Sequence, residues 1–138
     1  MITAVDTNVL LDLLTADREH GVSSREVIRA CLTEGSLVAC PVVWAEVATF
    51  FHPDPKVGGE ALERLGVRFV PRGPDATIGA ARCWQAYRTG QYGGRRLAVD
   101  FLIGGHAMTH ADRLLTRDRG FFRDYFEALP VLDPSVVP

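Results

Sequence analysis

The chain has 138 residues, 47% of them hydrophobic and 23% charged, with a formal net charge of −2. That length suits one domain with a real core, residues 1–138, and excludes two comfortable ones. No apolar run reaches the roughly 18 residues of a membrane span, and no basic segment leads into an apolar one at the N-terminus. The expected setting is therefore the cytoplasm, with no membrane attachment.

In chain order, Ile2–Val5 reads as a first strand. It runs straight into Asp6, Thr7 and Asn8 within VDTNVLLDLL, after which an apolar helix pattern resumes. Ser23 and Glu26 offer a capping box for a helix to about Thr33, stopped by Gly35. Leu37–Cys40 is the second strand, and Pro41 suits the first turn of a helix carrying Val43, Val47 and Phe50 on one side. Gly59–Leu65 is a short helix closed by Gly66, and Val67–Val70 is the third strand. Asp75 can cap a helix over Ala76–Arg88, closed by Gly90. A helix over Leu97–Thr109, a fourth strand at Arg113–Thr116, a helical turn at Phe121–Phe126 and a short strand at Val131–Leu132 complete the chain.

Strands alternating with helices predict an α/β domain, a mostly parallel sheet with helices on both faces. Ligands of such sheets bind beyond the carboxyl ends of the strands, where strand order reverses. Asp6 stands at such an end.

Charge is divided unevenly. Residues 64–123 hold eleven arginines against four acids, whereas residues 1–63 hold four basic and ten acidic residues. Arginine suits phosphate and surface carboxylates alike, so the asymmetry alone does not choose between nucleic acid and a solvated surface. Cys31, Cys40 and Cys83 are widely spaced with no C-x-x-C, and read as small core residues.

Four acids carry the functional signal. Asp118, in LLTRDRGFF, follows the fourth strand as Asp6 follows the first. Glu46 stands alone in the apolar stretch PVVWAEVATFF, and Asp100 is similarly placed in LAVDFLIGGHA. On that last helix Asp100, Gly104 and Ala107 share a face whose small residues permit close packing. Each acid has an ordinary alternative, as a turn or helix cap, an exposed helix position, or, for Asp100, a partner of Arg96. Four carboxylates in one crevice would repel one another, and a divalent cation resolves the conflict. Hard oxygen ligands without histidine or cysteine suit Mg²⁺ or Mn²⁺ better than zinc. Such an ion serves phosphate chemistry, by activating a water and neutralising charge on a phosphoryl oxygen. Asn8 and Thr116 add neutral polar groups beside Asp6 and Asp118, suited to orienting them. Arg95, Arg96, Arg117 and Arg119 lie nearest the acids in sequence and are candidate contacts to an RNA backbone. Tyr92 and the glycines of GQYGGRR suit either a loop that admits a strand or an ordinary helix connection. His106 and His110 have helical spacing for a metal pair, but without an H-E-x-x-H pattern a core or surface role is the better reading.

VDTNVLLDLL, PVVWAEV, AVDFLIGGHA and LLTRDRGFF together resemble the four acidic motifs of the PIN-domain ribonucleases, and most of all VapC-type toxins of toxin–antitoxin pairs. The resemblance spans essentially the whole chain, in order; its first and last motifs are the more specific. It implies a three-layer sandwich around a five-stranded parallel sheet, and a crevice holding one or two Mg²⁺ or Mn²⁺ ions. It implies metal-dependent endonucleolytic cleavage of RNA, with Asp6, Glu46, Asp100 and Asp118 as acids and metal ligands, and Asn8 and Thr116 as accompanying catalytic residues. It also implies a homodimer silenced by a VapB-type antitoxin. Two rivals remain on the sequence alone. One is a catalytically silent PIN-like module that binds RNA or a partner. The other is a haloacid-dehalogenase-like phosphatase, which disagrees with Asn at position 8 and with Lys56 as the only lysine.

Overall fold

The computed structural model describes residues 1–89 and 98–136. The strands are β1 (Ile2–Val5), β2 (Ser36–Ala39), β3 (Val67–Phe69), β4 (Arg113–Leu115) and β5 (Val131–Leu132). They form one sheet in the order β3-β2-β1-β4-β5, with every pairing parallel. The chain builds outward from β1 to β3 on one side, then returns to lay β4 and β5 on the other. Strand order thus reverses at β1, whose carboxyl end carries Asp6.

Neighbours along a strand face opposite sides of the sheet. Thr3, Ala4 and Val5 are nevertheless all buried, as are Leu37, Val38 and Ala39. Both faces must therefore be covered, which gives the three layers. The cover is helical: α1 (Thr7–Leu14), α2 (Gly21–Glu34), α3 (Pro41–Ala48), α4 (Lys56–Leu65), α5 (Pro74–Thr89), α6 (Ala98–His110) and α7 (Arg119–Tyr125). Helix α2 packs on β2, α4 on β3, α6 on β1 and β4, and α7 on β5. No helix among the described residues is long and apolar enough to cross a membrane.

Several local expectations are met, and others shift for identifiable reasons. Pro41 opens α3, and Gly66 closes α4 at a φ of 93°, a left-handed turn that glycine adopts without strain. The capping box is not used. Helix α2 begins at Gly21, two residues ahead of Ser23, whose hydroxyl donates instead to the His20 carbonyl. The N-cap of α2 has no side-chain bond, and the Asp17 carboxylate instead holds the turn that leads into it, accepting the N–H groups of Glu19 and His20 at 3.0 and 2.8 Å. Asp75 lies inside the first turn of α5 rather than ahead of it, because the helix starts at Pro74. Phe50 falls beyond the end of α3 and is exposed. The predicted stop at Gly90 and the GQYGGRR segment with Tyr92 lie outside the described residues. Cys31 and Cys40 are buried, Cys83 is half-buried, and all three are free thiols.

The core beside α6 is aromatic, with Phe101 meeting Trp84, Tyr87, Phe121, Tyr125 and Phe126. Two glycines make room for it. A Cβ on Gly104 would run into the Phe126 ring, and one on Gly105 would stand 2.6 Å from the Ala76 carbonyl oxygen on α5. Of the face expected on α6, Gly104 admits an aromatic ring; the close backbone approach is made by Gly105, outside that face. His106 is fully buried between them, its Nε2 at 2.8 Å from the Val70 carbonyl oxygen. It is a core histidine that ties the chain leaving β3 to α6. Because the α5 backbone cannot step aside, Gly105→Val should lower the unfolding free energy by about 1–3 kcal/mol, read from the midpoint of urea denaturation.

Candidate active site

Asp6 ends β1 and caps α1. Its own N–H bonds the Leu115 carbonyl at the end of β4, and its Oδ1 accepts the Thr7 N–H at 2.7 Å. Cap and site acid are thus one residue, two roles that the sequence set against each other. The other carboxylate oxygen, Oδ2, accepts the Thr116 hydroxyl at 2.7 Å and stands 3.4 Å from Asn8 Nδ2. Asn8 Nδ2 also reaches Thr116 Oγ1 at 3.3 Å, while Asn8 Oδ1 accepts the Arg117 N–H at 3.2 Å. Thr116 Oγ1 in turn accepts the Asp118 N–H at 3.0 Å. Asn8 and Thr116 therefore bind the first acid directly and fix the chain that bears the last.

Glu46 comes from the second turn of α3. Its Oε1 accepts the Thr7 hydroxyl at 2.7 Å, which draws α3 towards the start of α1. Asp100 lies in the first turn of α6 and Asp118 immediately precedes α7, where it makes no side-chain capping bond. Burial pushes the Asp6 carboxyl up to about 6 from its ordinary 3.8. The bonds from Thr116 and Thr7 pull the other way, while the charges of Asp100 and Glu46 push further up. Asp6, Glu46 and Asp100 thus share one electrostatic neighbourhood, and Asp118 is joined to it through Thr116.

The acids are grouped without being closed into a cage. Among the described residues no three carboxylate, histidine or cysteine side chains converge tightly enough to form a ready-made metal site. The donor set nevertheless fits a hard divalent cation. Its acids offer only oxygen, and Asp6, 7% exposed, carries a buried charge that a cation would relieve.

The candidate RNA contacts separate into three groups. Arg119 is exposed, one residue past Asp118. Arg117 turns its guanidinium onto Asp12, with Nε and Nη2 at 2.8 and 2.9 Å from the carboxylate oxygens. Arg95 and Arg96 lie outside the described residues, as does the Asp100–Arg96 alternative. Two participants had not been singled out from the sequence. Thr7 carries no signal of its own between Asp6 and Asn8, and only the start of α1 aims its hydroxyl at Glu46. Asp12 carried a usable signal, an acid inside the apolar run VLLDLL, the same signal that drew attention to Glu46.

An all-parallel α/β domain with acids gathered at its point of strand reversal is the class that fold and site define. The sequence matches the PIN domain family over residues 3–126, and the chain belongs to that family. No curated protein sequence matches it. Among solved structures, the VapBC2 complex of Rickettsia felis bound to a promoter DNA fragment is similar at a TM-score of 0.74 and 16% identity. That match covers 96% of this chain and 98% of the other. FitAcB from Neisseria gonorrhoeae gives 0.72 and 23%, covering 99% and 100%. Mycobacterium tuberculosis VapC20, a toxin that cleaves the sarcin-ricin loop, gives 0.55 and 15%, covering 81% and 86%. At these identities the likeness is one of fold.

The raised Asp6 carboxyl sets a pH dependence for the metal-free protein. The folded chain holds this proton more tightly than the unfolded chain, so the stabilisation is complete below 3.8 and is lost as pH rises to about 6. A shift of that size corresponds to about 3 kcal/mol. Asp6→Asn should therefore melt above wild type in EDTA. The gap should widen between pH 4 and 6 and stay level above, as measured by calorimetry.

Proposed function

We propose that this protein is a metal-dependent endoribonuclease that hydrolyses RNA phosphodiester bonds, as the toxin of a VapBC-type toxin–antitoxin pair. The observation that carries the reading is the Asp6 carboxylate, made protonation-prone chiefly by burial and further by the charges of Asp100 and Glu46, at the edge where α/β sheets bind ligands. Membership of the PIN family and a fold shared with toxin–antitoxin complexes support the reading.

Asp6, Glu46, Asp100 and Asp118 would hold Mg²⁺ or Mn²⁺. A divalent cation there supplies an activated water and neutralises charge developing on the phosphate. The chain's own groups keep the acids in place. Thr116 and Thr7 hold Asp6, and Thr7 also holds Glu46. Asn8 spans from Asp6 to the strand-β4 loop. Arg119, and Arg95 and Arg96 from the segment before α6, would hold the flanking RNA backbone. The partners proposed with this function are a VapB-type antitoxin and a second copy of the chain.

Cleavage of a labelled RNA in Mn²⁺ tests the reading. Asp6→Asn and Asp118→Asn should each lower the rate by at least about 100-fold, since even the groups that orient metal ligands are worth about 10- to 100-fold. EDTA should abolish cleavage by wild type. Variants that cut at the wild-type rate would show that these acids do not carry the chemistry. RNA binding that persists in EDTA, with no products on adding Mn²⁺, would instead establish a silent binding module.

A further inference from the structure

Just behind the four acids lies an ion pair that the proposed chemistry does not use. Asp12, on α1, is 4% exposed, and its carboxylate takes both Nε and Nη2 of Arg117 as a fork, at 2.8 and 2.9 Å. The Ser24 hydroxyl of α2 donates to the same Asp12 oxygen at 2.8 Å. A carboxylate this buried is held by three bonds from two other parts of the chain, and bidentate Arg–carboxylate pairs are the most directional of ion pairs. The pair therefore fixes more than charge; it fixes the angle at which the loop after β4 meets α1.

That loop is short and carries the last acid. Arg117 lies between Thr116, which donates to Asp6, and Asp118. Its backbone N–H donates to Asn8 Oδ1, and the next N–H, of Asp118, donates to Thr116 Oγ1. Asn8 and Asp12 are one helical turn apart on α1. Helix α1 thus grips the loop twice, through the Arg117 backbone at Asn8 and through the Arg117 side chain at Asp12. With α1 also starting at Asp6, the spacing between the first and last acids is set by this double grip.

We infer that Asp12 and Arg117 are a positioning pair that sets where Asp118 stands relative to Asp6, and so sets the affinity of the acid cluster for its divalent cation. The inference rests on the metal-dependent reading above. It assigns the half-buried Arg117 guanidinium to Asp12 in place of the RNA-contacting role that its position beside Asp118 suggests.

The test is Mn²⁺ binding to metal-free full-length protein by titration calorimetry, with melting in EDTA measured on the same samples. Arg117→Gln and Asp12→Asn should each weaken Mn²⁺ binding by about 10- to 100-fold. The double variant should be no worse than either single one, because both remove one interaction. Arg117→Lys keeps the charge but not the fork and should recover only part of the affinity. Ser24→Ala, which leaves the ion pair intact, covers the case in which the larger changes fail to fold and should weaken Mn²⁺ binding a few-fold. In EDTA, RNA affinity of Arg117→Gln should stay within about 2-fold of wild type. Wild-type uptake of Mn²⁺ together with unchanged uptake by Arg117→Gln and Ser24→Ala overturns the pair alone. A loss of RNA affinity in Arg117→Gln without loss of Mn²⁺ affinity makes Arg117 a phosphate contact instead. Wild-type protein that takes up no Mn²⁺ overturns the functional reading and the inference with it.

Discussion

A single buried carboxylate organises this end of the molecule. Asp6 is at once the last link of the central strand, the cap of the first helix and the acceptor for Thr116. These roles come from one geometric fact, that β1 lies between β2 and β4 with all three parallel. Its carboxyl end is flanked on one side by the turn into α3 and on the other by the loop into α7. Glu46 and Asp118 arrive on those two connections, and Asp100 arrives on α6, which packs on β1 and β4. An acid held there in ionised form is costly, and the raised carboxyl of Asp6 is the sign of that cost. Thr7, Asn8 and Thr116 lower it without cancelling it.

The strands and the acids were legible in the sequence because both rest on strong local signals. All five predicted strands exist, and β1 and β5 have the predicted limits. Strands β2, β3 and β4 each end one residue earlier than their apolar runs do, since Cys40, Val70 and Thr116 already belong to the connections leaving the sheet. The capping box at Ser23 failed for a different reason. The Asp17 side chain holds the preceding turn, so the helix already begins at Gly21 and Ser23 falls inside its first turn. What could not be read was direction. Thr7 and Asn8 are adjacent, yet one bonds Glu46 and the other reaches Asp6, Thr116 and Arg117; that division depends on the exact phase of α1 against the sheet.

The charge asymmetry between the halves of the chain gains a structural explanation. Arg113 at the start of β4 pairs with Glu34 at the end of α2 and bonds Thr3 of β1. Arg117 beyond the end of β4 pairs with Asp12. Both arginines come from the basic half and both carboxylates from the acidic half, and the two pairs bracket β4. Strand β4 is the point at which the chain returns to the centre of the sheet after building its other side. Parallel pairing between distant segments forms late and has alternatives in register, so ion pairs at both ends of β4 favour the one register in which Leu115 meets Val5.

The same bracketing changes what the remaining positive charge can do. Arg117, forked onto the buried Asp12 carboxylate, and Arg113, held between Glu34 and the Thr3 hydroxyl, are both engaged within the fold. Arg64, Arg68, Arg72, Arg82, Arg88, Arg119 and Arg123 stay exposed among the described residues of the basic half. Arg82 and Arg88 flank Trp84 on α5, and Trp84 stacks on Phe101, the residue after Asp100. Outward positive charge is therefore spread over α4, β3, the connection to α5, α5 and α7. The basic half thus serves the fold through the two arginines that bracket β4, and the greater part of its positive charge still faces outward.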